Sequence, residues 1–264
     1  KLEKIDTLAS IILEKKMAPG FQVLVAKNSK VVFTKSYGYH TDKKKELVKN
    51  KDIYDVASLT KILATLPLIM KAQEDKKISL ESSLMEILPS FKGSNKDTLT
   101  VKEILSHFGR LKPWIPFYKK TQDSITGENL NQFYRSKKTP IFSVKVAEKM
   151  YLNKYYKDSI YTYIKNADQR EVVEYKYSDL GYYMLKEVLE TTYQKPLATL
   201  LDEEFYQYLG VNRTTYLPLL KFDTKEIIPT EKDTYYRNQL LHGNVHDMGA
   251  AMLGGVGAHA GLFA

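Results

Sequence analysis

The stretch Asp55-Val56-Ala57-Ser58-Leu59-Thr60-Lys61 carries the strongest signal in this 264-residue chain. It places a lysine three residues after a serine, and no other Ser-x-x-Lys occurs in the sequence. Positions i and i+3 of a helix share a face, so the Lys61 amine can reach the Ser58 hydroxyl. Shielding by the apolar run that follows favours the neutral amine, which can take a proton from the hydroxyl. The pattern predicts Ser58 as a nucleophile and Lys61 as its base, although a capped helix with a surface lysine would give the same letters.

A second motif, Tyr177-Ser178-Asp179, comes directly before a predicted helix that opens Leu180-Gly181. A tyrosine on such a turn can point into a cleft and share a proton with a lysine. Because the chain holds 20 tyrosines, the position of Tyr177 before a helix, and not its residue type, carries this prediction.

Working outward from the serine, the periodicity predicts a helix followed by a hairpin and then a mainly helical region. The predicted strands are 21–26 and 31–37, and the predicted helices are 2–16, 58–73, 80–88, 101–107, 180–191 and 197–209. This is an α+β class, with residues 1–57 in an α/β lobe and residues 58–264 in a mainly helical lobe of one catalytic domain. Residues from about 119 to 170, rich in Lys and Tyr, are interpreted as a helical insertion over the active-site mouth.

The amino-acid composition excludes or disfavours several kinds of site. With no cysteine, disulfides, thiolate metal sites and cysteine nucleophiles are excluded. The formal net charge is +9, but only five of the 40 basic residues are Arg and the lysines are spread along the chain, which favours a solvated lysine surface over a nucleic-acid site. The longest apolar run, residues 62–70, is far short of the roughly 20 residues that cross a bilayer. No transmembrane span is therefore expected.

Together these residues resemble the serine β-lactamase and penicillin-binding-protein superfamily, on its class C and esterase-like branch. The resemblance runs through the N-terminal helix and hairpin, the two motifs and the stretch from Val245-His246-Asp247 to Phe263. It is closest to the β-lactamase-like domains that follow a family 3 glycoside hydrolase domain, whose similar motif reads Tyr-Ser-Asp-Leu-Gly. Tyr151-Leu152-Asn153 fits the Tyr-x-Asn pattern of the superfamily better letter for letter, but it lacks the following Leu-Gly-Tyr and helix, and we set it aside.

The resemblance implies a role for each motif residue. Ser58 would be acylated, Lys61 would be its base, and Tyr177 would pass protons to the leaving group and during deacylation. Asp179 stands where the family usually has an Asn that donates to a substrate carbonyl. An ionised carboxylate cannot donate, and beside Lys61 it would favour the ammonium form and oppose the base. Trp114, the only tryptophan, lies in a loop like one that borders the cleft in relatives, where it would contact substrate or pack between lobes.

The third family motif, Lys-Thr-Gly or His-Thr-Gly, lies on a strand beside the nucleophile and supplies an oxyanion N–H. His259-Ala260-Gly261 is a partial match, but we interpret it as the end of a glycine-rich turn that comes well before that motif in relatives. Two strands do not form a stable sheet alone. We therefore expect the remaining strands and the third motif beyond residue 264 or on another polypeptide, and a slow isolated chain.

Two further groups have simpler interpretations. His242 and His246 are four residues apart, but Gly243 and Asn244 disfavour a helix, so no metal site is predicted and no cofactor is expected. His107, in His107-Phe108-Gly109, resembles a disturbed family turn and is interpreted as structural.

The leading hypothesis is a serine hydrolase that acts through an acyl-enzyme on a cell-wall peptide, ester or β-lactam-type amide in the periplasm or cell envelope. Its partners would be small-molecule or peptidoglycan-derived substrates, with fusion to a glycoside hydrolase domain or completion by another chain segment. One alternative is a non-catalytic domain of the same fold that binds cell-wall fragments. The other is a polyanion-binding module.

Overall fold

The computed structural model describes residues 2–264. Its α-helices are α1 (Lys4–Glu14), α2 (Leu66–Glu74), α3 (Leu84–Ile87), α4 (Val101–Leu105), α5 (Tyr156–Asn166), α6 (Leu180–Tyr193), α7 (Leu197–Leu201), α8 (Gln207–Leu209) and α9 (Met248–Met252). Its strands are β1 (Gly20–Lys27), β2 (Lys30–Gly38), β3 (Tyr134–Arg135), β4 (Phe142–Ala147), β5 (Met150–Asn153), β6 (Thr215–Tyr216), β7 (Glu231–Asp233), β8 (Gln239–Leu241) and β9 (Leu262–Phe263). None of the helices in this range is long and apolar enough to span a bilayer.

Strands β1 and β2 form the predicted antiparallel hairpin. Their register runs from Gly20 opposite Gly38 to Lys27 opposite Lys30. The two connecting residues, Asn28 and Ser29, have φ of 51° and 59°, as a two-residue turn matched to the twist of the strands requires. The hairpin prediction is confirmed.

The serine motif opens a helix of changing pitch. Residues Ala57–Leu59 form a 3-10 turn, Lys61–Thr65 a π-helical turn, and α2 continues from Leu66. Ala57 has φ of 47°, a left-handed conformation that strains a non-glycine residue and is held here because its N–H donates to the Asp55 carboxylate at 2.8 Å. π turns inside helices are frequent at functional sites. The backbone is therefore irregular on both sides of Ser58.

The region of about 119–170, predicted to be a helical insertion, is not mainly helical. It contains an antiparallel sheet in the order β3-β5-β4, followed by the single helix α5. Val146 and Leu152 are fully buried in this sheet, and Ile160 and Ile164 bury one face of α5. The β-branched and aromatic alternation in 142–152 favours strands, and the high Lys and Tyr content obscured it.

Helix α6 runs through the centre of the molecule. Nine of its residues are buried, from Leu180 to Leu189. One hydrophobic cluster extends around it from Ile53 to Phe263. The helix predicted over 80–88 is shorter, Leu84–Ile87, because the Ser83 N–H donates to Glu86 and starts the helix there. From residue 211 onward the strands are only two or three residues long. Small antiparallel sheets among helices confirm the α+β prediction.

Candidate active site

Lys61 stands at the centre of the candidate site. Its Nζ lies 3.0 Å from the Ser58 Oγ, and the two residues belong to successive turns of the same irregular helix. Lys61 is only 3% exposed, whereas Ser58 is exposed to solvent. A shielded amine behind an accessible hydroxyl is the arrangement that nucleophile activation needs.

Asp179 reaches the same amine from a distant part of the chain. Its Oδ1 lies 2.6 Å from the Lys61 Nζ, and its N–H donates to the Pro113 carbonyl at 3.0 Å. Asp179 is the residue before α6, so the buried face of that helix sets its position. The carboxylate is a direct counter-ion for the Lys61 ammonium, in a partly buried pair where the attraction is stronger than in water.

Tyr177 packs against Lys61 through its ring. The Lys61 Nζ lies 4.8 Å from the ring centroid of Tyr177 and 5.3 Å from that of Tyr182. Tyr177 remains 41% exposed. The structure thus brings together Ser58, Lys61, Tyr177 and Asp179, and it places Tyr151 elsewhere, in β5 opposite Arg135 and Lys145.

His107 holds the tyrosine turn in place. Its Nδ1 accepts the Ser178 N–H at 3.2 Å, and its ring lies 4.6 Å from that of Tyr177. Burial, reinforced by the Lys61 charge, lowers the pKa of His107, so the ring is neutral at pH 7 with its proton on Nε2. His107 was predicted to be structural, and its contacts with Ser178 and Tyr177 show which turn it supports.

The loop of Trp114 borders the site through its backbone. The Lys112 carbonyl accepts the Ser178 hydroxyl at 2.7 Å, and Pro113 accepts from Asp179. The Trp114 side chain itself is 43% exposed. Its predicted contact with substrate stays a prediction.

Two residues of the site were missed by the sequence analysis. The backbone carbonyl of His259 accepts from the Lys61 Nζ at 3.1 Å, and the buried imidazole of His259 pairs with the Asp247 carboxylate at 2.9 Å. His259 was weighed there only as part of a third motif that would supply an N–H. The sequence signal that could have identified His259 is a single titratable residue within the run of glycine, alanine and apolar residues over 254–263, a composition typical of buried segments.

Asp55 ties the serine motif to the same region. One carboxylate oxygen accepts the Ala57 N–H, and the other accepts the His246 N–H at 2.6 Å. Burial raises the pKa of Asp55, and these two N–H groups act in the opposite direction. The turn that carries Ser58 is therefore anchored to the residue beside Asp247.

The His242 and His246 side chains lie against different groups. The His242 Nε2 lies 2.7 Å from the Ile227 carbonyl, and the His246 Nδ1 lies 2.8 Å from Glu231. Across residues 2–264 no group of three or more His, Asp or Glu side chains could hold a metal ion.

The chain is similar to known proteins along nearly its whole length. The Beta-lactamase family model matches residues 8–264. An N-acetylmuramyl-L-alanine amidase of Bacillus subtilis is 27% identical over 291 residues, covering 100% of this chain and 60% of the relative. A putative D-alanyl-D-alanine carboxypeptidase of Escherichia coli is 25% identical, covering 93% of this chain and 57% of the relative. The chain thus spans about three-fifths of the length of these relatives.

Solved structures share the fold. An octameric penicillin-binding protein homologue from Pyrococcus abyssi superimposes with a TM-score of 0.71 at 17% identity, covering 100% of this chain and 53% of that one. A class C beta lactamase from Rhodobacter sphaeroides gives a TM-score of 0.65 at 15% identity, covering 98% and 61%. At these identities the likeness is one of fold.

Proposed function

Because the chain belongs to the beta-lactamase family, we propose that it is a serine acyl hydrolase that works through an acyl-enzyme on Ser58. The observation that carries the proposal is the position of the Lys61 Nζ, 3.0 Å from the Ser58 Oγ and shielded from solvent. An amine in this position can take the hydroxyl proton without a histidine or a metal ion.

In the proposed acylation, the neutral Lys61 amine accepts the Ser58 proton while the Oγ bonds to the substrate carbonyl carbon. The bond from that carbon to the leaving nitrogen or oxygen then breaks. The leaving group takes a proton from Lys61 through the Tyr177 hydroxyl. In deacylation a water molecule loses its proton to the same base, attacks the acyl carbon and releases Ser58 as a hydroxyl. The Ser58 N–H is the proposed first donor to the oxyanion.

Asp179 sets the protonation balance of this reaction. Its carboxylate lies 2.6 Å from the Lys61 Nζ, where a negative charge attracts the positive charge that the amine gains on taking the Ser58 proton. An asparagine there would lack this charge and could donate to a substrate carbonyl. We therefore propose that the preferred substrate differs from a β-lactam.

The relatives suggest the substrate class. They are named an N-acetylmuramyl-L-alanine amidase and a putative D-alanyl-D-alanine carboxypeptidase. We propose a cell-wall peptide, ester or amide as the substrate, and the cell envelope as the place where the whole protein meets it. Trp114, exposed beside the Asp179 turn, is proposed to contact that substrate.

A fluorophosphonate probe tests the nucleophile. We expect one adduct per chain by intact mass, formed as the Ser58 Oγ bonds to phosphorus and fluoride leaves, and we expect none in Ser58→Ala. Ser90→Ala, at an exposed serine on another turn, is the matched control and should label like the wild type. A wild-type chain that stays unmodified, or an adduct that survives in Ser58→Ala, would contradict the proposal.

A non-catalytic domain of the same fold is the second candidate, because the short Lys61–Asp179 ion pair could keep the lysine from acting as a base. That candidate predicts binding of cell-wall peptides with no adduct from either a fluorophosphonate or a penicillin probe. The labelling experiment therefore separates the two functions.

A further inference from the structure

The Lys61 amine has three hydrogen-bond acceptors around it. They are the Ser58 Oγ, the Asp179 Oδ1 and the His259 carbonyl oxygen. A neutral amine carries two N–H donors and one lone pair. When Asp179 and His259 accept the two N–H groups, the lone pair is left for the Ser58 proton. The His259 carbonyl thus orients the amine for the role of base.

This carbonyl is fixed by the side chain of its own residue. The His259 Nε2 lies 2.9 Å from the Asp247 Oδ1, and the imidazole stacks on Tyr183 with ring centroids 4.2 Å apart and planes 18° apart. Asp247 is fixed in turn, because it accepts the Ala250 N–H at 2.7 Å and caps α9. Because the imidazole is buried between a carboxylate and an aromatic ring, the backbone of His259 has little freedom to move.

The remaining edge of the imidazole is closed. The His259 Nδ1 is buried without a hydrogen-bond partner among the described residues. A Cβ added to Gly257 would lie 2.9 Å from the His259 Cε1 and 3.0 Å from its Nδ1, so the glycine backbone packs against this edge. The Asp247 carboxylate can only accept, so the His259 Nε2 carries the proton in this contact. The imidazole is therefore closed to solvent, and its contacts are with other groups of the protein.

The turn itself is attached to the nucleophile helix on both sides of His259. The Thr65 hydroxyl donates to the Ala258 carbonyl at 2.7 Å, and the Leu262 N–H donates to the Thr60 hydroxyl at 3.1 Å. These contacts bring the turn against the helix, and the Gly257 N–H closes the turn by donating to the Ala260 carbonyl at 3.1 Å. The contact with Asp247 is made by the side chain of His259 itself.

We propose that Asp247 and His259 form a positioning pair for Lys61: the buried Asp247–imidazole contact aims the His259 carbonyl at the amine and thereby aims the amine lone pair at Ser58. This inference rests on the proposed function, in which Lys61 is the base. Neither residue touches the substrate. Both act through the third acceptor of Lys61.

The first test measures the second-order rate constant of fluorophosphonate labelling as a function of pH. Removing the imidazole in His259→Ala should lower this rate constant by about tenfold or more, as expected when a positioned base loses its orientation. It should also change the shape of the pH profile. His259→Gln, whose amide N–H can still donate to Asp247, should recover most of the rate.

The control is a second buried His–Asp pair that does not touch the site. His40 and Asp52 lie 2.8 Å apart and are both buried, in the segment between β2 and the serine motif. His40→Ala should lower the melting temperature as His259→Ala does but leave the labelling rate constant and its pH profile unchanged. An equal loss of labelling in the two alanine variants would reduce the Asp247–His259 pair to a stabilising contact and overturn the proposal.

A second readout does not depend on catalysis. The ¹⁵Nζ resonance of Lys61, assigned by its disappearance in Lys61→Arg, should shift in His259→Ala and stay in place in His40→Ala. If it stays in place in folded His259→Ala, the positioning role is wrong whatever the labelling shows. If it shifts while the wild-type chain never labels, the proposed hydrolase function fails and the positioning of Lys61 by His259 stands.

Discussion

The charge next to Lys61 decides how the candidate site behaves at the scale of single residues. The Ser58 hydroxyl and the Asp179 carboxylate both contact the Lys61 amine, at 3.0 and 2.6 Å. The shorter contact is to the carboxylate, and a charge-assisted hydrogen bond is about twice as strong as a neutral one. Asp179 therefore holds the amine more tightly than Ser58 does, and in the proposed mechanism the amine must take the Ser58 proton against this contact.

Replacing this carboxylate should speed the first step. We expect Asp179→Asn to raise the rate of labelling by ester or β-lactam probes by about tenfold, the equivalent of about 1.4 kcal/mol in the barrier. The measurement is the rate of adduct formation by mass spectrometry. Asp168→Asn removes the same charge from an exposed pair with Lys112 and should have no effect. Equal or slower labelling in Asp179→Asn would show that the carboxylate is tolerated or required.

At the scale of elements, short irregular segments carry the site, and long regular ones support it. Ser58 and Lys61 lie on 3-10 and π turns, Tyr177 lies in a loop, and Asp247 caps the five-residue α9. The long helix α6, with nine buried residues, is the regular element that supports these short segments. Helix α9 depends on its cap, because few internal hydrogen bonds stabilise a helix of this length.

The Asp247 cap of α9 makes the stability of the fold depend on pH. Burial alone would raise the pKa of Asp247, but the imidazole of His259 and the Ala250 N–H outweigh burial and lower the pKa to about 2, from an ordinary value of 3.8. A lowered carboxyl pKa stabilises the folded state fully above pH 3.8, and that stabilisation is lost as the pH falls through 2. It amounts to about 2 kcal/mol at neutral pH.

Asp247→Asn, which keeps an acceptor for the cap but cannot titrate, should remove this dependence. Urea denaturation at pH 6, 4, 3 and 2 should give a wild-type free energy of unfolding that falls more steeply between pH 4 and 2 than that of the variant, by about 2 kcal/mol. Parallel curves for the two proteins would show that Asp247 contributes nothing to acid stability.

At the scale of the whole molecule, the β1–β2 hairpin stands apart from the core. Of the apolar residues in α1, β1 and β2, only Ala9 is buried. Leu24 is 62% exposed, and Val31 and Val32 are about half exposed. A two-stranded sheet with exposed apolar residues presents unpaired edges that favour association with another chain.

We therefore expect the 264-residue chain to self-associate as its concentration rises. The double variant Leu24→Ser with Val31→Ser should weaken this association in sedimentation velocity and change the melting temperature little, because neither side chain contributes to the core. Ile53→Ser, in the buried cluster, is the contrasting variant and should lower the melting temperature strongly. A wild-type chain that stays monomeric at all concentrations would contradict the prediction.

Local patterns account for what the sequence predicted well. The Lys61–Ser58 contact needs only helical spacing, the hairpin needs only two strand patterns and an Asn-Ser turn, and α6 needs only its apolar periodicity. Each involves residues close in the chain, where geometry follows from backbone periodicity. The predictions for residues 134–153 were wrong, because a short strand and a short helix look alike when lysine and tyrosine dominate the composition.

The sequence by itself determined the Ser-x-x-Lys motif, the tyrosine turn and the family resemblance, whereas the tertiary structure decided which groups meet at Lys61. Asp179 is 118 residues from Lys61 and His259 is 198 residues away, so no spacing rule connects them. Their meeting depends on the burial of α6 and on the packing of the 258–262 turn against Thr60 and Thr65. Long-range packing of this kind minimises the exposed apolar surface of the whole chain. The total apolar surface buried cannot be predicted from any single segment.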